Sequence, residues 1–177
     1  MNEVLNAIAK RSSTRSYTDR KLAKEELDKL ILAGLQAPTA ANTQEIHITV
    51  VDGDNPILAE LEEEKNQSMG IHNAQNNFYC GAPTVLILSG DANFYWSKVD
   101  AGIAVENIAI AAEGMGLGSL IIGCIKDALS GEKRSYFANA LKFPEGYEYE
   151  VAIAVGYKAA GKEPHEFDVD RQVTYLQ

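Results

Sequence analysis

The sequence predicts an α+β layer fold. Apolar residues recur at helical spacing in several segments, and short β-branched or continuously apolar runs lie between them. The two kinds of segment do not follow the strict strand–helix–strand order of a parallel sheet.

In chain order, Val4, Leu5 and Ile8 make one face of a first helix over 3–10, and Leu27, Leu30, Ile31 and Leu35 repeat the pattern over 24–36, with Pro38 as its stop. "IHITVVD" (46–52) reads as a strand and "PILAELEEEKN" as the helix after it. "APTVLILSG" (82–90) is continuously apolar, which suits a strand buried on both faces. "VDAGIAVENIAIAAEGMG" (99–116) is apolar nearly all round and predicts a buried helix. A short strand "GSLIIG", a helix near 132–141 and a last core strand "EVAIAVGY" (150–157) follow. The tail ends in strand-like "QVTYL", which suits pairing with a neighbour's sheet edge; a frayed end is the alternative.

The chain has 177 residues, a length suited to one domain over 1–177 with a substantial core. Its net charge of −9 argues against a general nucleic-acid surface, which needs a positive stripe. Residues 1–30 nevertheless carry seven Lys/Arg against five acids, a locally positive opening that suits a small anion. Two cysteines, Cys80 and Cys124, have neither disulfide-framework nor zinc spacing, so a reducing cytoplasm is expected. The apolar runs are too short to span a bilayer, and no amino-terminal signal is evident.

"RSSTR" (11–15) is the densest candidate site. If extended, it points Arg11, Ser13 and Arg15 the same way over roughly 13 Å. Arginine forks and a serine hydroxyl suit phosphate oxygens; a solvated loop paired with the many acids is the competing reading. "GMGLGS" (114–119) has a helix before it and a strand after, the reverse of a dinucleotide fingerprint, so a helix cap and tight turn explain it. His47, His72 and His165 are scattered, with no metal spacing, and His47 fits a cross-strand position. Cys124 reads as a buried, inert thiol. With no protein nucleophile in view, an enzyme of this sequence would leave the chemistry to a cofactor.

Four stretches together, "RSSTRSY" with "APTAANTQ", "GAPTVLIL", "DAGIAVENIAIAAEGMGLGSLIIG" and "VAIAVGYKAAGKEPHE", resemble the FMN-dependent nitroreductase family in order and spacing over nearly the whole chain. The resemblance implies a mixed, mostly antiparallel sheet flanked by helices, with the C-terminal segment exchanged across a homodimer that holds two shared FMN sites. It implies that Arg11, Ser12, Ser13 and Arg15 hold the flavin phosphate and pyrimidine edge, with Lys162 and His165 approaching the phosphate. Pro38, Thr39, Ala40 and Asn42 would reach the ring from the other subunit. Ile121, Ile122 and Gly123 would line the isoalloxazine, and Asn73 would touch its edge.

The implied activity is ping-pong hydride transfer from NAD(P)H to a nitroaromatic, quinone or similar acceptor. No side chain is expected to be catalytic, since the flavin carries the hydride. Alternatives are a family member with a specialised acceptor, or a flavin-binding sensor or storage protein. Two departures stand out: Gln44-Glu45-Ile46 where the family often has Gln-Pro-Trp, and His165 where many members have arginine.

Overall fold

A computed structural model describes residues 2–72 and 75–176 of the chain. Helix α1 (Glu3–Lys10) begins at Asn2, whose side chain accepts the Leu5 N–H at 2.9 Å. Helix α2 (Lys24–Leu35) starts with Glu26 reaching back to the Ala23 N–H at 2.8 Å. Strand β1 (His47–Asp52) leads to α3 (Pro56–Met69), which has a capping Asn55, proline in its first turn and left-handed Gly70 (φ 65°) at its end. Then come β2 (Thr84–Asp91), α4 (Ser97–Gly114), β3 (Gly118–Ile122), α5 (Lys126–Ser130), α6 (Arg134–Ala140) and β4 (Tyr147–Gly156).

The four strands form one sheet in the order β1-β2-β4-β3, and every neighbouring pair is antiparallel. Alternation along β2 explains its continuous apolarity: Val85 and Ile87 face one layer while Leu86 and Leu88 face the other. On the first side they meet Leu58 and Leu61 of α3, Leu129 of α5 and Phe137 of α6. On the second they meet Leu30 of α2 and Ile108 and Ala112 of α4. The sheet is thus covered on both faces, and β3 remains an edge.

Two expectations need correction. Helix α4 buries Ala101, Ala104, Val105, Ile108 and Ala112, but it is not buried all round: Val99 and Ile103 are 49% and 37% exposed. The sheet covers one side of the helix and α1 and α2 pack on it as well, yet Val99 and Ile103 stay uncovered among the described residues. The tail forms no strand among the described residues. Val169–Gln172 makes one helical turn, started by Asp168 accepting the Arg171 N–H, and residues 159–176 are exposed throughout. Extended backbone at Val173 finds no ladder partner among the described residues.

Candidate functional site

The 11–18 stretch is extended and pinned at both ends. Its Thr14 N–H donates to Ser119 O at 2.8 Å, and Ser13 forms a parallel bridge with Ser119 at the start of edge strand β3. Further on, the Thr18 N–H donates to Tyr157 O and the Ala159 N–H to Ser16 O, so the stretch crosses from β3 to the residues after β4. Thr14 is buried, whereas Arg11 and Ser13 are half-buried and Arg15 is exposed. Gly118 makes this approach possible: a Cβ there would meet Thr14 Oγ1 at 2.6 Å. In the "GMGLGS" turn it is Gly116 that takes the left-handed conformation (φ 74°), and the Leu117 N–H closes the helix end on Ala112 O.

The segment after β4 comes back to the same place, for the Ser12 hydroxyl donates to Lys162 O at 2.6 Å. This joins two of the expected binding segments through a direct contact. His165 is exposed and makes no hydrogen bond or ion pair among the described residues. Arg11 lies 3.6 Å from Glu106 of α4. Arg15 is exposed, and no carboxylate comes within ion-pair distance of it among the described residues. Burial pushes the Tyr17 phenol well above its usual range; its hydroxyl donates to Thr14 O at 3.0 Å.

At the far end of β3 the two isoleucines part company. Ile122 is 3% exposed and packs into the core, so it offers a ligand only backbone; Ile121, on the opposite face, is 37% exposed. Ile122 O accepts from the buried Tyr149 hydroxyl at 2.7 Å. Beyond it, the exposed Gly123 and Cys124 N–H groups find no acceptor among the described residues, and a Cβ on Gly123 would meet nothing within 4 Å. Cys124 is therefore not the buried thiol expected: the strand ends at Ile122, and the turn that follows leaves the sheet. Cys80 is half-buried, and that burial raises its thiol above the usual range.

The 38–42 loop follows α2, and its Ala40 N–H donates to Asp100 Oδ2 at 2.9 Å. Asp100 is 2% exposed, in the first turn of α4. The loop is unusual in backbone: Ala41, Asn42 and Gln44 all have φ between 53° and 55°. Thr39 Oγ1 accepts the Gln44 N–H, and the Thr43 hydroxyl bonds Glu45. Glu45 leaves its other oxygen buried without a partner. No hydrogen bond or ion pair joins this loop to Arg11–Arg15 among the described residues. Asn73 lies outside the described residues. Sequence reasoning passed over Asp100 and Thr14. A lone aspartate inside the apolar run "KVDAGIA" was the available signal, since a buried carboxylate requires a donor.

Residues 8–157 match the Nitroreductase family. FMN reductase (NAD(P)H) of Bacillus subtilis (strain 168) is 31% identical, in an alignment that spans 99% of this chain and 76% of the relative. A crystal structure of a nitroreductase with bound FMN from Desulfitobacterium hafniense DCB-2 matches with a TM-score of 0.90 at 29% identity, over 100% of both chains. A second, from Bacteroides fragilis NCTC 9343 and also with bound FMN, gives 0.88 at 26% over 100% of both. By sequence and by fold, the chain belongs to the nitroreductase family.

Proposed function

We propose that this chain is an FMN-dependent oxidoreductase. It would oxidise NAD(P)H and reduce small acceptors such as nitroaromatics or quinones, as a homodimer with two shared sites, in a cytoplasmic setting. The observation that carries the reading is the Ser12–Lys162 contact. It gathers Arg11, Ser12, Ser13, Arg15 and Lys162 beside the open end of an edge strand.

The donor set fits the cofactor. Two guanidinium groups, the Ser13 hydroxyl and a lysine suit a phosphate dianion, with the Ser12 hydroxyl holding Lys162 O and exposed His165 within the same segment. Ile121 presents uncovered aliphatic surface for a flat ring, and the free Gly123 and Cys124 N–H groups are fixed dipoles available to an electron-rich edge. When bound, FMN supplies a two-electron carrier that takes up a hydride and passes it on. The chain's own part is to hold, orient and partly desolvate it.

Pro38, Thr39, Ala40 and Asn42 form a loop held by Asp100 and unconnected to Arg11–Arg15 of the same chain. This suits a loop that serves the site of the other protomer. The exposed tail from 159 onward suits exchange between protomers.

The test is steady-state oxidation of NADH and NADPH by FMN-loaded protein with and without a quinone. We expect about one FMN per chain, acceptor-dependent turnover and parallel double-reciprocal lines. Cys80→Ser and Cys124→Ser should keep most of the activity, because no thiol carries the hydride. Bound FMN without acceptor-dependent oxidation would make the protein a flavin carrier instead.

A further inference from the structure

We propose that the cavity between α5, α6 and the start of β4 is a second anion site, which takes the phosphate group of a phosphorylated small molecule. The cavity encloses about 320 Å³ and shares no residue with the Arg11–Arg15 cluster. That volume is at the small end of ligand pockets, roughly 300–1,000 Å³, and suits a phosphate with a modest attached group rather than a polymer.

Three cations line it from three separate elements: Lys98 of α4, Lys126 of α5 and Arg134 of α6. Ser135 and Tyr147 add hydroxyls to the same wall. Glu148 is the one carboxylate on the wall, yet no carboxylate lies within ion-pair distance of the three cations among the described residues. By contrast, Lys133, beside Arg134, and Lys158 in β4's continuation both hold close carboxylate partners, at 2.5 and 2.6 Å. Lys98 and Lys126 also converge electrostatically, for both act on the Glu150 carboxyl. The three cations outnumber the nearby Glu148 and Glu150 carboxyls, and a bound dianion relieves the repulsion that remains. The guanidinium fork and the hydroxyls supply directed donors for its oxygens.

The cavity also adjoins the flavin-binding candidate. Tyr149 lines it and donates to Ile122 O, one residue before Gly123. The phosphate can belong to the dinucleotide reductant, an assignment that rests on the oxidoreductase reading above, or to a separate phosphomonoester.

FMN-loaded protein in phosphate-free buffer is titrated by calorimetry with pyrophosphate and with 2′,5′-ADP. Wild type should bind saturably, and Lys126→Glu/Arg134→Glu should bind at least about tenfold more weakly, as expected for lost charge-assisted contacts. All of these side chains are exposed, and Lys126→Ala/Arg134→Ala repeats the test without charge reversal. Arg11→Ala/Arg15→Ala disables the flavin site while leaving the cavity intact, so its anion binding should persist; a failed flavin reading is thereby told apart from a failed cavity. A KM rise confined to NADPH in the cavity variant, at unchanged kcat, assigns the phosphate to the reductant's 2′-position. Equal KM values with pyrophosphate binding lost assign it to a separate phosphomonoester. Absence of saturable binding in wild type, or equal affinity in wild type and both cavity variants, overturns the proposal.

Discussion

Arg11 and Arg15 occupy the same stretch in different electrostatic settings. Arg11 has Glu106 at 3.6 Å, whereas Arg15 is exposed and without a carboxylate partner among the described residues. Charge-assisted contacts to phosphate contribute about 1.5–3 kcal/mol each, so either alanine variant should weaken FMN roughly tenfold or more. Arg11→Ala should weaken it further than Arg15→Ala, because Glu106 is left facing the anion. Fluorescence titration with FMN checks this, and wild-type affinity in both variants would remove the phosphate role. A second residue-scale prediction concerns Glu150, the extra residue at the bulge where β4 slips against Leu88 and Ser89. Burial, then neighbouring Glu148, push its carboxyl from 4.5 up to about 7. The folded state thus holds this proton more tightly than the unfolded chain does, and stability is lost as pH rises through that window. Glu150→Gln should raise Tm near pH 8, with the gain shrinking as pH falls and gone below about 4.5; a constant gain at every pH would point to packing instead.

At the scale of elements, one glycine couples the binding stretch to the sheet. A Cβ on Gly118 would meet Thr14 Oγ1 at 2.6 Å and Lys158 Cγ at 2.8 Å, so Gly118→Ala must displace the Thr14 and Lys158 side chains that lie against β3. Overpacking of this kind costs roughly 1–3 kcal/mol, and flavin affinity should fall along with Tm. If Tm falls while FMN binds as before, the edge of β3 does not position the arginines. Gly118 also marks how far the sequence could be read. The sequence suggests a tight turn there, whereas Gly118 opens β3, and its contact with Thr14, a hundred residues away, needed the fold. Strand β2 was legible because burial on both faces leaves a continuous apolar run. Helix α5 was not, because five residues span too little of a helical period to show one. Alternation within 11–15 is legible only once the stretch is known to be extended, and the division of labour between Ile121 and Ile122 depends on which face of the sheet each meets.

For the molecule as a whole, the exposed apolar residues make one argument. Val4, Leu5 and Ile8 of α1, Leu32 and Leu35 of α2, and Val99 and Ile103 of α4 each leave between 37% and 61% of their surface exposed. Three helices contribute to this set, and α4 touches both of the others, a distribution that suits a subunit interface better than scattered exposure does. The tail adds Phe167, Val173, Tyr175 and Leu176, exposed by 44% to 95% among the described residues. If the tail lies on a second protomer, truncation after Asp170 removes part of the dimer contact while leaving Ser12–Lys162 in place. Dimer dissociation should then shift to higher protein concentration, and flavin should be lost in parallel if, as proposed, the 38–42 loop serves the site of a docked partner. Sedimentation across a concentration series, read at flavin and protein wavelengths together, separates the outcomes. Flavin retained by a truncated monomer would mean that one chain completes the site alone, and the shared-site arrangement would have to be abandoned.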